Sequence, residues 1–184
     1  VMLSGDMATY AVFSGQPYFL MSVGGYHPGF CPPVPLPPAV ADLRPFGFEV
    51  ALADDVWFRL ESYVAIASNA FQFGSLAVLE ASTKFLLTTY TARGEVGFDV
   101  LLTVKPFSFI ADAHVLVSVT AGGADLIHAE LRVHLSGPKP WLATGFGEFE
   151  FLGIEHTAVE VNRRTGVPDN QVRTHCSQIG TLVR

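Results

Sequence analysis

Residues 92–119 constrain the fold more tightly than any other stretch. Ala92, Gly94, Val96, Phe98, Val100, Leu102 and Val104 occupy one parity, with Arg93, Glu95, Asp99 and Thr103 on the other. Such alternation describes a strand with one apolar and one wetter face. After Lys105-Pro106 a second run places Phe107, Phe109, Ala111, Ala113, Val115, Val117 and Val119 against Ser108, Asp112, His114 and Ser118. Two long strands on a tight link predict a hairpin, and the rest of the chain reads as further copies of it.

Phe46, Phe48 and Val50 start a strand before a break near Ala53-Asp54-Asp55. A strand from Trp57 follows, with Phe58, Leu60, Val64 and Ile66 on one parity, then a turn at Asn69-Ala70 and a partner strand carrying Phe71, Phe73, Ala77, Leu79 and Ala81. The turn at 121–125 leads into Ile127, Ala129, Leu131, Val133 and Leu135, opposed by His128, Glu130, Arg132 and His134. Gly and Pro at 136–140 force another reversal before Phe149 and Phe151, and Gly153 predicts a bend. The aromatics at 71, 107 and 141 each follow a polar residue and a small or cyclic one. That recurrence is expected of a two-strand unit repeated along a sheet.

The predicted fold is all-β: a large curved antiparallel sheet built as a meander of repeated hairpins, either an open barrel or a slice of a longer β assembly. Strands of about 10 to 14 residues, longer than is usual, favour that over a small sandwich. Short helices are the alternative at 46–59 and 74–85. Residues 1–45 hold short strands and a Pro-rich arm, 46–161 the hairpin sheet, and 162–184 a polar tail. In the arm, the prolines of 26–38 exclude a helix or central strand, while Tyr26, Phe30 and Leu36 look like anchors that pin it to a sheet edge or a neighbour.

Composition narrows function by exclusion. The chain has 184 residues, 49% hydrophobic and 15% charged, with 15 Phe and a net charge of -6. No basic cluster exists to bind a phosphate backbone, so no nucleic-acid partner is expected. The apolar stretch 85–104 carries Arg93, Glu95 and Asp99, so no transmembrane helix is expected. The start at Val1 shows no basic leader and is expected of a fragment or processed product. Cys31 and Cys176 allow one long-range disulfide, with two unpaired thiols the expected state.

No cofactor, metal site or catalytic residue is expected. His128, Glu130, Arg132 and His134 share a face, but residues two apart on a strand lie about 7 Å apart and Arg132 competes for the site. Cross-strand help from His114 or Glu95 would be needed. Glu148 and Glu150 meet the spacing of a glycosidase pair without the environment that raises one pKa. His175 and Cys176 are adjacent in a polar tail, and the glycines at 94 and 97 lie inside a strand rather than at a phosphate-cradling turn.

The informative feature is the apolar parity. It groups Phe58, Phe71, Phe73, Phe98, Phe107, Phe109, Phe149 and Phe151 as candidate binding residues. Burying each such side chain is worth about 1.5 to 3 kcal/mol, so this face is expected to be covered. Trp57 and Trp141 near strand ends, with charges on one parity, also suit a membrane β-barrel, which the uneven strands and the arm fit poorly.

Residues 19–30, 68–74, 97–101 and 135–141, the last with its Ser-Gly-Pro-Lys-Pro-Trp turn, resemble in that order a domain of very large, mostly bacterial proteins known as domain of unknown function 6603. The likeness runs over roughly residues 18–160. It implies a long, β-rich, repeat-containing architecture and carries no catalytic residue across. The expectation is therefore a non-enzymatic structural or interaction module of a larger β-rich assembly, joined through sheet edges or the apolar face. The alternative is a carrier for lipid or another apolar ligand in a Phe-lined groove.

Overall fold

The computed structural model of the chain describes residues 1–152, 154–155 and 159–165. It is nearly all strand. β1 (Met2–Ser4), β2 (Met7–Val12) and β3 (Tyr18–Val23) precede the arm and a single short helix, α1 (Pro38–Ala41). Then come β4 (Phe46–Ala53), β5 (Val56–Ala67), β6 (Ala70–Phe85), β7 (Thr88–Val104), β8 (Phe107–Ala121), β9 (Ala124–Gly137), β10 (Trp141–Phe151), β11 (Ile154–Glu155) and β12 (Val159–Thr165).

All twelve strands form one antiparallel sheet in the order β1-β4-β5-β6-β7-β8-β9-β10-β11, with β12 also beside β10. The strands from β4 onward are a meander, as the hairpin pattern predicts. β5 divides its outer edge: its first half pairs with β4 and its end, from Val64 to Ala67, pairs with β3, which in turn pairs with β2. The sheet does not close into a barrel, and among the described residues its outer strands leave open edges.

The strands exceed the expected length, since β7 runs for 17 residues. The two alternative helices, at 46–59 and 74–85, are strand throughout apart from the tight turn at 54–55. Alternation with period two and cross-strand partners at every position override any local helical preference there. The aromatics at 71, 107 and 141 stand at or beside the starts of β6, β8 and β10, at one end of the sheet. There Phe109 and Trp141 pack edge to face at 5.1 Å.

The closed core is small and lies at that same end. Tyr18, Leu20, Tyr26, Phe30, Ala65, Ala70 and Leu101 form it, with Val34, Leu36, Val40, Leu43 and Ile110 packed around them. The arm is thus laid across a face of the sheet rather than along an edge. Gly24 and Gly25 have φ of 82° and 112°, which lets the chain leave β3 and fold back over the sheet. Tyr26 stacks on Phe30 at 5.7 Å and donates its hydroxyl to the Val40 carbonyl at 2.8 Å. Arg44 closes the arm with a paired contact to Asp6, whose nearest oxygen lies 2.8 Å away.

Cys31 is disulfide-bonded, so it is not the unpaired thiol expected at that position. Cys176, His175, His156, the Gly153 bend and the tail beyond 165 lie outside the described residues.

Candidate functional site

Strand register decides what each face carries. Leu79, Gly94, Val117 and Ala129 are successive cross-strand partners, and Phe58 and Phe149 lie in the same row. Phe71 aligns with Leu102 and Phe109, and Phe73 with Val100 and Ala111. All eight candidate phenylalanines therefore stand on one face. Phe73 contacts Phe71 at 5.5 Å and Phe98 at 6.0 Å between ring centroids.

Every charged side chain within β5 to β10 stands on the other face. The sheet curls toward that polar face. One open concavity of about 1080 Å³ is lined from Arg59 on β5 to Glu160 on β12, through Arg93, Glu95, His114 and Glu130. Exposure follows the curvature. In the middle of β8 the apolar Ala113, Val115 and Val117 are exposed, whereas the polar-parity His114, Leu116 and Ser118 are half-buried. The expected cover over the apolar face is thus absent within the described residues: Val96 is 53% and Leu131 50% exposed. The Phe face is convex, and a groove lined by it is not what the sheet forms.

Under the arm the polar face becomes a buried network. The His27 backbone N–H donates to Gln72 Oε1 at 2.8 Å, and the Gly29 N–H donates to His27 Nδ1 at 2.9 Å. Accepting at Nδ1 leaves the neutral ring's proton on Nε2, which faces Asp112 Oδ2 at 3.9 Å without a hydrogen-bond partner. Burial pushes the His27 pKa down, against the opposing pull of Asp99 and Asp112. Tyr63 donates to Asp99 Oδ1 at 2.8 Å, and burial, then that carboxylate, pushes the phenol far up. Gly74 makes this contact possible, because a Cβ there would overlap both Tyr63 and Asp99.

Beyond the arm the face carries small clusters of ion pairs, the first of which shares Asp112 with His27. His134 Nδ1 meets Asp112 Oδ1 at 2.6 Å, and His114 Nε2 meets Glu95 Oε1 at 3.0 Å. Gly97 makes room for the His114 ring, which a Cβ would overlap. Arg93 donates to Glu95 at 2.7 Å, and Arg132 pairs with Glu130. For Glu95, burial alone would raise the pKa, but hydrogen bonds from Arg93 and His114 outweigh it and hold the carboxyl below its usual range.

The four residues of the candidate metal face are therefore not brought together. His134 turns to Asp112 on β8, Glu130 to Arg132, and His114 helps neither. Among the described residues no group of three or more His, Cys, Asp or Glu side chains has the arrangement of a metal site. Glu148 lies opposite Glu130, and Glu150 opposite His128, both on the concave face. Sequence reasoning missed the network of His27, Tyr63, Gln72 and Asp99. Its one visible signal was Gln72 between Phe71 and Phe73, a polar residue whose parity matches Ala70 and Gly74.

An open antiparallel sheet with a polar concave face, a convex face that is uncharged from β5 to β10, and a short arm closing one end defines an all-β protein, single-layered among the described residues. Its family follows from the chain as a whole. A model described as "Family of unknown function (DUF6603)" matches residues 1–180, and the chain belongs to that family. No curated protein and no solved structure matches it.

Proposed function

We propose that this chain is a non-enzymatic structural module that joins a larger β-rich assembly through its sheet edges. The observation that supports this most is the open end of the meander. β10, β11 and β12 carry the sheet to an edge with no further strand among the described residues, while the arm closes only the opposite half. An unpaired edge presents a row of backbone donors and acceptors, which is a template for another strand. Val159 and Val161 on β12 are exposed along this edge, among the charged Glu160, Arg163 and Arg164. The ion pairs of the concave face satisfy one another, which suits a lining better than a reaction centre.

Native mass spectrometry, with hydrogen exchange of the β12 amides over a concentration series, tests the reading. A defined oligomer whose formation slows β12 exchange is the expected result. A monomer at every concentration with β12 already protected would overturn it. The carrier reading needs Phe side chains inside a concavity, and the curvature of the sheet does not favour it.

A further inference from the structure

We propose that the convex face is a lipid-contacting surface, seated on a bilayer that bears anionic headgroups. Three features of the face select this occupant.

The first is its chemistry. From β5 to β10 this face carries no charged side chain, and its centre is built from Val96, Val115, Val117, Leu131 and Val133, all exposed. A protein partner normally adds about one hydrogen bond per 100–200 Å² of interface. The central rows of β7, β8 and β9 offer no side-chain donor or acceptor for such bonds, and hydrocarbon needs none.

The second is its shape. The concavity lies on the polar side, so the apolar side bulges outward. Two copies meeting through convex faces touch only along a crest, whereas a fluid lipid surface conforms to it. Because β12 has an unpaired edge among the described residues, which hydrocarbon does not tolerate, the contact is interfacial.

The third is the charge of one rim. The turns beside Phe107 and Trp141 carry the exposed Lys105 and Lys139, and the turn at 68–69 adds no carboxylate. Arg163 on β12 opposes Ala143, on the same rim. Apolar area beside basic groups is the combination that holds a protein at an anionic lipid surface, whatever the net charge elsewhere.

Vesicle flotation tests this with the whole chain. Vesicles of phosphatidylcholine with phosphatidylglycerol are expected to carry the protein upward, and pure phosphatidylcholine to carry less. The double variant Val117→Glu/Leu131→Glu is expected to stay at the bottom, while Ser118→Glu/Thr144→Glu on the concave face floats like the wild type. Lys105→Glu/Lys139→Glu is expected to weaken binding to the anionic vesicles by at least about tenfold. In case the convex variant misfolds, a Trp57→Phe protein leaves Trp141 as sole emitter, and brominated phosphatidylcholine within the anionic vesicles is expected to quench it.

Unquenched Trp141, wild type remaining at the bottom with both vesicle types, or a folded Val117→Glu/Leu131→Glu variant that floats would each overturn the proposal. So would a lipid-free oligomer abolished by that variant, which would make a second copy the occupant. Edge assembly reads out on β12 amides without lipid, so the two proposals fail independently.

Discussion

The two ends of this sheet have the same backbone and opposite fates. Where the arm crosses it, the polar parity is buried: Leu20, Ala65 and Gln72 are fully enclosed and Phe30 is 2% exposed. A few strands away no described residue closes the polar parity, while the apolar parity faces outward at both ends. The difference teaches that alternation creates two faces without ranking them. What closes a face is whatever the chain lays on it, and here it lays Tyr26, Phe30 and Leu36 on the side that is charged elsewhere. The sheet accommodates them by changing composition locally, with Ala65, Ala70, Leu101 and Ile110 replacing charged neighbours along the same parity.

The comparison breaks most visibly at Phe30. Phe30→Ala removes a fully buried ring and is expected to cost about 3–5 kcal/mol in urea denaturation, with faster exchange across the arm. A cost equal to that of a convex-face substitution would show that the arm does not hold this end together. His27→Ala comes next. It strips the Gly29 N–H of its acceptor under the arm and is expected to cost about 1–3 kcal/mol.

Acid should separate the two ends in the same way. The folded pKa of His27 lies below its ordinary value of 6.5, so unfolded or undocked chains bind the proton more readily. Stability from the neutral ring is complete above 6.5 and is lost as pH falls from there through the depressed folded value. Proteolysis within the arm should accelerate over that window, and His27→Gln should flatten the dependence; an unchanged slope in the variant would assign it to other groups.

Leu131→Ala probes the other end. It is half exposed, and its loss is expected to change stability by no more than about 0.5 kcal/mol. A larger value in lipid-free solution would mean that something already covers the convex face. The smallest effect belongs to Arg44. Its guanidinium holds the Asp6 carboxyl at about 2, from an ordinary 3.8, so this pair contributes above 3.8 and fades as pH falls toward 2. Both side chains meet solvent, and Arg44→Ala should alter melting only marginally, mostly at low salt.

Much of this architecture was legible in the residues. The parity of 92–119 and 127–135 specified strands, the Pro and Gly breaks placed their turns, and the eight phenylalanines were assigned to one face correctly. The candidate site was legible only in part. His128, Glu130, Arg132 and His134 do share a face, yet the partners that occupy His134 and His114 sit 22 and 19 residues away in sequence, on other strands. A one-residue change of register would have exchanged them.

What the sequence determined by itself, then, was local: which residues lie on strands, which side chains share a face, and where the chain reverses. Those properties follow from the two-residue period of an extended backbone and from the restricted φ of proline. The tertiary structure alone decided that the polar face is concave and the apolar one convex, and that the arm crosses the polar side. Curvature and docking are summed over many strand pairs and over contacts such as His27 with Gln72, which no window of sequence contains.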